Sequence, residues 1–431
     1  GMIIAVFLIG LVLLFLLGYG APYAIGLVSL LVLVITRGFG NVPLDMVATK
    51  LAFSANNFTL LAIPFFLLAG KLMNTGSITT RIFRFCNTLI GWIPGGLGHA
   101  NVLASIVFAG MSGSAVADAA GLGTIEIKAM EEEGFDTDFS AAITAASSTI
   151  GPIIPPSIPL IVFGVSAGGI SIAKLLIGGV LPGLLVGICL SIMVYVFAVK
   201  RHYPCRKFPK GKELWHDFKD AFFPLLTPII LIGGILSGVF TPTEGAAVAS
   251  LYAFFLTMFI YREITWKDLA GIIRDTAKET ASIMFIVCAS SLYGYLLTRT
   301  QLPTLFMNMI FAFTENKIVI LLLLNVFFLV IGMFMETNAA LIILVPILAP
   351  MANALGIDLL HLGVMIVLNL MIGLLTPPVG MCLYATAKVA RISLDRMIKA
   401  ILPFYVPLLI ALLLVTFVPG IVTWLPNLLI H

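Results

Sequence analysis

Two short segments, Gly151-Pro152-Ile153-Ile154-Pro155-Pro156 and Gly373-Leu374-Leu375-Thr376-Pro377-Pro378, carry the same Gly-x-x-x-Pro-Pro pattern inside apolar sequence. Proline lacks an amide donor and frees the carbonyl four residues earlier, so a helix running through either segment is interrupted. Ser147, Ser148 and Thr149 precede the first pattern and Thr376 sits inside the second, adding hydroxyl oxygens without a buried charge. A broken helix presents unpaired carbonyls on one half and unpaired amides on the other. The same break can therefore coordinate a hard cation and attract an anionic group. Sodium suits such a set of neutral oxygens. The candidate ligands are Ser147, Ser148, Gly151 and Pro155 in the first segment and Gly373, Thr376 and Pro377 in the second. The competing reading is that the prolines only kink packed helices and the small residues only allow close helix contact. Duplication at matched spacing favours a site.

Upstream of each pattern, at nearly equal separation, lies a polar interruption: Gly110-Met111-Ser112-Gly113-Ser114-Ala115 in the first half and Met335-Glu336-Thr337-Asn338-Ala339 in the second. Each predicts a re-entrant helical hairpin, at about residues 102–130 and 332–354, with Pro346 and Pro350 supporting a turn or kink in the second. Tips reaching the midplane from opposite sides, each beside a broken helix, enclose one cavity between two inverted repeats. Ser112, Thr337 and Asn338 join the cation candidates on this placement, and Ser114, Asn338, Pro156, Pro378 and Gly380 are the substrate candidates. The alternative for the serines is packing between helices. Asp118 and Glu336, close to the tips, are expected to raise cation affinity or to sit at a solvated mouth. Glu244, following Thr241-Pro242, reads as a structural helix cap, and Arg299 as a side chain that snorkels to the interface.

The elements that must hold these residues are legible in the composition. Of 431 residues, 60% are apolar and only 10% charged, which makes lipid the main solvent. Apolar runs recur along the whole chain without strict alternation, so helices rather than a barrel satisfy the backbone. The expectation is an all-α polytopic membrane protein of about ten to twelve spans or part-spans. A first inverted repeat occupies 1–199 with its broken helix at about 141–164, and a second occupies 221–431 with its broken helix at about 362–390. Between them a basic connection, 200–220, carries Lys200, Arg201, Arg206, Lys207, Lys210, Lys212 and Lys219. The positive-inside bias places it in the cytoplasm. Such juxtamembrane charges set topology, so no nucleic-acid partner is expected. The first apolar segment has no basic residue before it and no clear cleavage site, and reads as a retained helix. Five scattered cysteines suggest neither a disulfide framework nor a zinc site. The absence of a Gly-x-x-x-x-Gly-Lys-Ser/Thr loop argues against ATP hydrolysis by this chain. No nucleophile with its base and no paired catalytic carboxylates stand out, which disfavours an enzyme. A channel with broken helices at a pore stays open as an alternative to a carrier.

Gly110-Met111-Ser112-Gly113-Ser114-Ala115-Val116-Ala117-Asp118, Ser147-Ser148-Thr149-Ile150-Gly151-Pro152-Ile153-Ile154-Pro155-Pro156-Ser157, Phe240-Thr241-Pro242-Thr243-Glu244 and Leu375-Thr376-Pro377-Pro378-Val379-Gly380 together carry a resemblance. Over nearly its entire length the chain resembles the large membrane subunit of the tripartite ATP-independent periplasmic (TRAP) transporters. The resemblance implies sodium-driven uptake of an organic acid, of the sialic acid or C4-dicarboxylate class, across a bacterial inner membrane. It implies a soluble periplasmic binding protein that delivers the substrate and a small membrane partner of about four helices. That partner is expected to be a separate chain, because the N-terminus enters the repeat unit almost at once. The resemblance also implies an elevator mechanism, a transport domain holding both hairpins sliding against a fixed scaffold. The amphipathic stretch Glu263 to Ala281, with Ile78 to Ile93 as its counterpart, reads either as an arm joining the two or as an interfacial loop helix. A stand-alone organic-anion or ion permease without a binding protein remains an alternative.

Overall fold

The computed structural model describes residues 2–333, 335–377 and 380–431; Pro378, one of the substrate candidates, lies outside them. Among the described residues the chain is all α, with short 3-10 and π turns and no strand. Lipid imposes this, since a helix satisfies its backbone donors within one segment. Among the described residues six helices are long and apolar enough to cross a membrane, or up to eight if each of two bent pairs counts as one span. Several further apolar helices of 10–17 residues, including Gly96–Ala109, Ile158–Ala167 and Leu359–Gly373, are too short to cross alone. These short helices flank the polar interruptions.

In the first half, Gly96–Ala109 forms one arm of a hairpin, and Ala115–Ala120 followed by Leu122–Glu132 forms the returning arm. Thr137–Ser148 follows; the chain then leaves helical geometry and re-enters it at Ile158–Ala167. In the second half the corresponding parts are Lys317–Gly332, Thr337–Leu355, Leu359–Gly373 and Met381–Ala390. The second hairpin therefore differs from its expected bounds. Residues 332–354 do not fold back on themselves, because Thr337–Leu355 runs as one helix through Pro346 and Pro350. Most of that helix is buried against neighbours that hold it together despite the missing amides. The first arm is Lys317–Gly332, which in sequence looks like an ordinary span, and the arm packed against it starts at Thr337.

The two repeats interlock. Met381–Ala390, the second half of the later broken helix, packs against Ala115–Ala120, Leu122–Glu132 and Thr137–Ser148. Reciprocally, Ile158–Ala167 packs against Thr337–Leu355 and Leu359–Gly373. Each broken helix thus sends its far half into the other repeat, which brings the two breaks and the two tips to one region.

A frame of longer helices surrounds this unit. Ala62–Met73 packs against Pro242–Phe255 and Trp266–Arg299, and Gly211–Leu236 bridges Gly76–Ile90 and Pro242–Phe255. Thr241 and Glu244 close a capping box at the start of Pro242–Phe255, so Glu244 serves the helix end. Met2–Leu16 and Ala21–Arg37 build a second hydrophobic core on Trp266–Arg299, with Phe7 edge-on to Tyr293 at 5.3 Å between centroids. The stretch Glu263 to Ala281 is not a separate interfacial helix. From Trp266 it continues without a break into a 34-residue helix ending at Arg299. At 1.5 Å per residue that helix is roughly 50 Å long, more than the ~30 Å hydrocarbon layer, so its polar first half extends beyond the apolar zone. The basic connection is shorter than 200–220. Helix Val180–Arg201 includes Lys200 and Arg201, and helix Gly211–Leu236 includes Lys212 and Lys219. The intervening strap is pinned by the Arg206 amide on the Gly91 carbonyl at 2.8 Å and by the Arg206–Glu213 ion pair at 2.8 Å.

Candidate functional site

The first hairpin turn is pressed against the helix break of its own repeat, in the second repeat the end of the first arm meets the end of the helix before the break, and glycines make both approaches possible. A β-carbon on Gly113 would come within 2.8 Å of the Pro156 carbonyl oxygen, and one on Gly151 within 3.5 Å of the Ser114 carbonyl oxygen. In the second repeat a β-carbon on Gly373 would lie 2.8 Å from the Gly332 Cα. The first tip is terminated by Ser114, whose hydroxyl accepts the Ala117 amide at 3.3 Å and caps Ala115–Ala120. The second is terminated by Glu336, whose carboxylate accepts the amides of Asn338 at 3.1 Å and Ala339 at 2.9 Å. A frame helix closes over the first tip, since a β-carbon on Gly70 would stand 3.1 Å from the Ser112 hydroxyl.

Between the tips and the frame lies a cavity of about 780 Å³. Ser112 and Ser114 line it from the first tip, Thr337 and Asn338 from the second, Pro152 from the first break and Leu374 from the edge of the second. Four of the sequence candidates thus share one cavity although they come from opposite halves of the chain.

The other described candidates do not line that cavity. Ser147 is fully buried; its hydroxyl donates to the Asn101 side-chain carbonyl at 2.7 Å and accepts from Ser105 at 3.0 Å. Asn101 in turn donates to Thr144 at 2.8 Å. Ser148 donates back to the Ala145 carbonyl at 2.7 Å. Buried hydroxyls require partners; Gly96–Ala109 supplies them to Ser147, and the backbone of Thr137–Ser148 supplies one to Ser148. At the second break, Thr376 donates to the Ile372 carbonyl at 2.9 Å, the Leu374 carbonyl accepts the Cys382 amide at 3.1 Å, and the Leu375 carbonyl accepts the Tyr405 hydroxyl. Pro377 follows Thr376 in the turn, and Gly380, at φ +33°, starts Met381–Ala390 in a backbone region that side-chain-bearing residues rarely adopt. The first break is less committed. The Ser157 hydroxyl takes the Pro152 carbonyl, but among the described residues nothing donates to the carbonyls of Gly151, Pro155 or Pro156.

Sequence reasoning passed over three charged residues. Lys71 and Glu279, from two frame helices, line the cavity and form an ion pair at 2.6 Å. Lys71 interrupts an apolar run, and an ionisable residue in such a position is itself a functional signal. Glu126 is buried with Asp118 in the returning arm of the first hairpin, and neither of its carboxylate oxygens has a hydrogen-bond partner among the described residues.

These features define a polytopic helical membrane protein whose interlocked halves each bring a hairpin tip and a helix break to one central cavity, the architecture of a solute carrier. Residues 8–421 match the family described as the tripartite ATP-independent periplasmic transporter, DctM component, and the chain belongs to that family. It is 44% identical over 411 residues to the sialic acid TRAP transporter large permease protein SiaM of Vibrio cholerae, covering 95% of each chain. It is also 44% identical to the sialic acid TRAP transporter permease protein SiaT of Haemophilus influenzae, over 88% of this chain and 62% of that longer protein. Identity to the C4-dicarboxylate TRAP transporter large permease protein DctM of Vibrio cholerae is 39%, over 95% of each. The crystal structure of the YdaH transporter of Alcanivorax borkumensis shares the fold, with a TM-score of 0.65 at 16% identity over 89% of this chain and 90% of that one.

Proposed function

We propose that this chain is the large permease of a sodium-coupled importer that carries an organic acid, of the sialic acid or C4-dicarboxylate class, across the bacterial inner membrane. The substrate class follows the relatives, which include sialic acid and C4-dicarboxylate permeases. The observation that carries the coupling is the pressing of the first tip against its own break, matched in the second repeat by the Gly332–Gly373 contact, beside a cavity that both tips line. A cation held by neutral oxygens at the break stabilises the turn that faces the substrate. Sodium then shifts the equilibrium by its differential affinity for the arrangements with the tip seated and unseated. The uncommitted carbonyls of Gly151, Pro155 and Pro156 support a hard cation at the first break. Thr376 and Gly373 are its counterparts at the second, where protein donors already take more of the backbone oxygens. The interlocked repeats move as one body against the frame built on Ala62–Met73, Pro242–Phe255 and Trp266–Arg299, in the manner of an elevator. A periplasmic binding protein delivers the acid, a small membrane subunit of about four helices completes the frame, and the sodium gradient rather than ATP supplies the driving force.

Reconstitution tests this. Vesicles holding this chain, the small subunit and a binding protein loaded with labelled sialic acid or a labelled C4-dicarboxylate are expected to accumulate label only under an inward sodium gradient. Accumulation by this chain alone would support a stand-alone permease, and flux that equilibrates without uphill accumulation would support a channel.

A further inference from the structure

Among the described residues that line the central cavity, Lys71 is the one cation, and two carboxylates, Glu279 and Glu336, share the space with it. The carboxylates differ in how they are held. Glu336 is tied to two backbone amides at the start of Thr337–Leu355. Glu279 holds only the Lys71 ammonium, at 2.6 Å, and its side chain is 51% exposed, against 27% for Lys71. An ammonium has three donors and this one spends a single donor on Glu279. A solvated carboxylate on a flexible stem gives up such a partner readily, because exposed ion pairs are individually weak.

We infer that Lys71 is the residue that recognises the carboxylate of the transported acid, and that Glu279 holds its ammonium between cycles and yields it when the acid enters. This rests on the transport reading above. With one ammonium against two carboxylates, an organic anion entering the cavity finds a cationic partner among the described lining residues only at Lys71. Positive charge bound behind the tips lowers the repulsion from the carboxylates. Position also matters. Lys71 stands on a frame helix, next to the Gly70 that abuts Ser112, whereas Ser114 and Asn338 stand on the hairpins. An acid held between them bridges frame and hairpins in this conformation, and displacement of the hairpin unit breaks the contact with Lys71. Glu279 then recovers its partner, which opposes recapture of the acid.

The test compares Lys71→Gln, Glu279→Gln and the double variant in vesicles with the small subunit and binding protein, reading KM for the labelled acid and the sodium concentration for half-maximal uptake. Loss of a charge-assisted contact predicts that Lys71→Gln raises KM about tenfold or more while half-maximal sodium stays within about twofold. Glu279→Gln frees the ammonium and is expected to lower KM, and the double variant should behave as Lys71→Gln does. If the pair only ties two frame helices together, both single variants shift KM the same way, and that result overturns the inference. Glu279→Gln changes a half-exposed side chain and keeps the test decisive should Lys71→Gln fold poorly. Normal wild-type uptake with unchanged KM in all variants overturns the role of Lys71 and leaves the transport reading standing. A wild-type protein that takes up neither acid overturns both.

Discussion

Adding one methyl group at Gly373 should separate sodium activation from assembly. The β-carbon of Gly373→Ala would lie 2.8 Å from the Gly332 Cα and 2.9 Å from its carbonyl carbon and oxygen, where ordinary contact begins at 3.4 Å. Every close neighbour is backbone, so no flexible side chain can swing away, and the first arm of the second hairpin must part from the break by roughly 0.6 Å. Overpacking of this kind costs about 1–3 kcal/mol. Charged only to the arrangement in which tip and break are pressed together, that energy shifts the equilibrium about 5–150-fold, and half-maximal sodium for uptake rises accordingly. Gly332→Ala should be milder, because its nearest backbone atom would be 3.2 Å away. Gly271→Ala, in open space on the long frame helix, is the control and should leave activation unchanged. The assay is initial uptake against sodium concentration in vesicles, with membrane insertion followed by quantitative blotting. Wild-type activation in Gly373→Ala, with wild-type thermal stability, would refute the idea that this contact carries coupling.

Thr376→Val keeps the shape of the side chain but removes the hydroxyl bonded to the Ile372 carbonyl; we expect higher half-maximal sodium with little loss of membrane assembly, measured in the same uptake assay. Ser147→Ala strips a fully buried hydroxyl from the network with Asn101 and Ser105 and should destabilise the purified protein by about 1–3 kcal/mol, read as a lower thermal midpoint in detergent. Glu336→Ala removes the cap of Thr337–Leu355, with an expected cost of about 0.5–2 kcal/mol and faster hydrogen exchange at the amides of Asn338 and Ala339. In a background lacking the exposed Cys205, cysteines placed at Ser114 and Asn338 should react with a water-soluble maleimide and be protected together by acid plus sodium, whereas one placed at the fully buried Ser148 should stay unlabelled.

The interruptions were legible because proline, glycine and small polar residues in apolar sequence leave backbone groups that lipid cannot satisfy. The helix Thr137–Ser148 ends where the first pattern demands it, and the helix before the second pattern ends at Gly373. The extent of the second hairpin was not legible, because Lys317–Gly332 has the composition of any crossing helix and only its packing marks it as an arm. Nor does the pattern tell a hydroxyl facing a cavity from one satisfied inside a bundle. Ser112 and Ser147 look alike in sequence, yet one lines the cavity and the other binds Asn101, 46 positions away. The frame's contribution was hidden by distance, since Lys71 and Glu279 meet across 208 positions. Nothing local to either residue signals the other.

The most direct test of the account is a pair of density maps of the protein with its small subunit, one in sodium and one with sodium replaced by a large organic cation. A peak between the first tip and the carbonyls of Gly151, Pro155 and Pro156 in sodium only, with the Gly113–Pro156 contact loosened in its absence, is the predicted result. Identical maps in the two conditions, with tip and break closed and no peak in either, would contradict it.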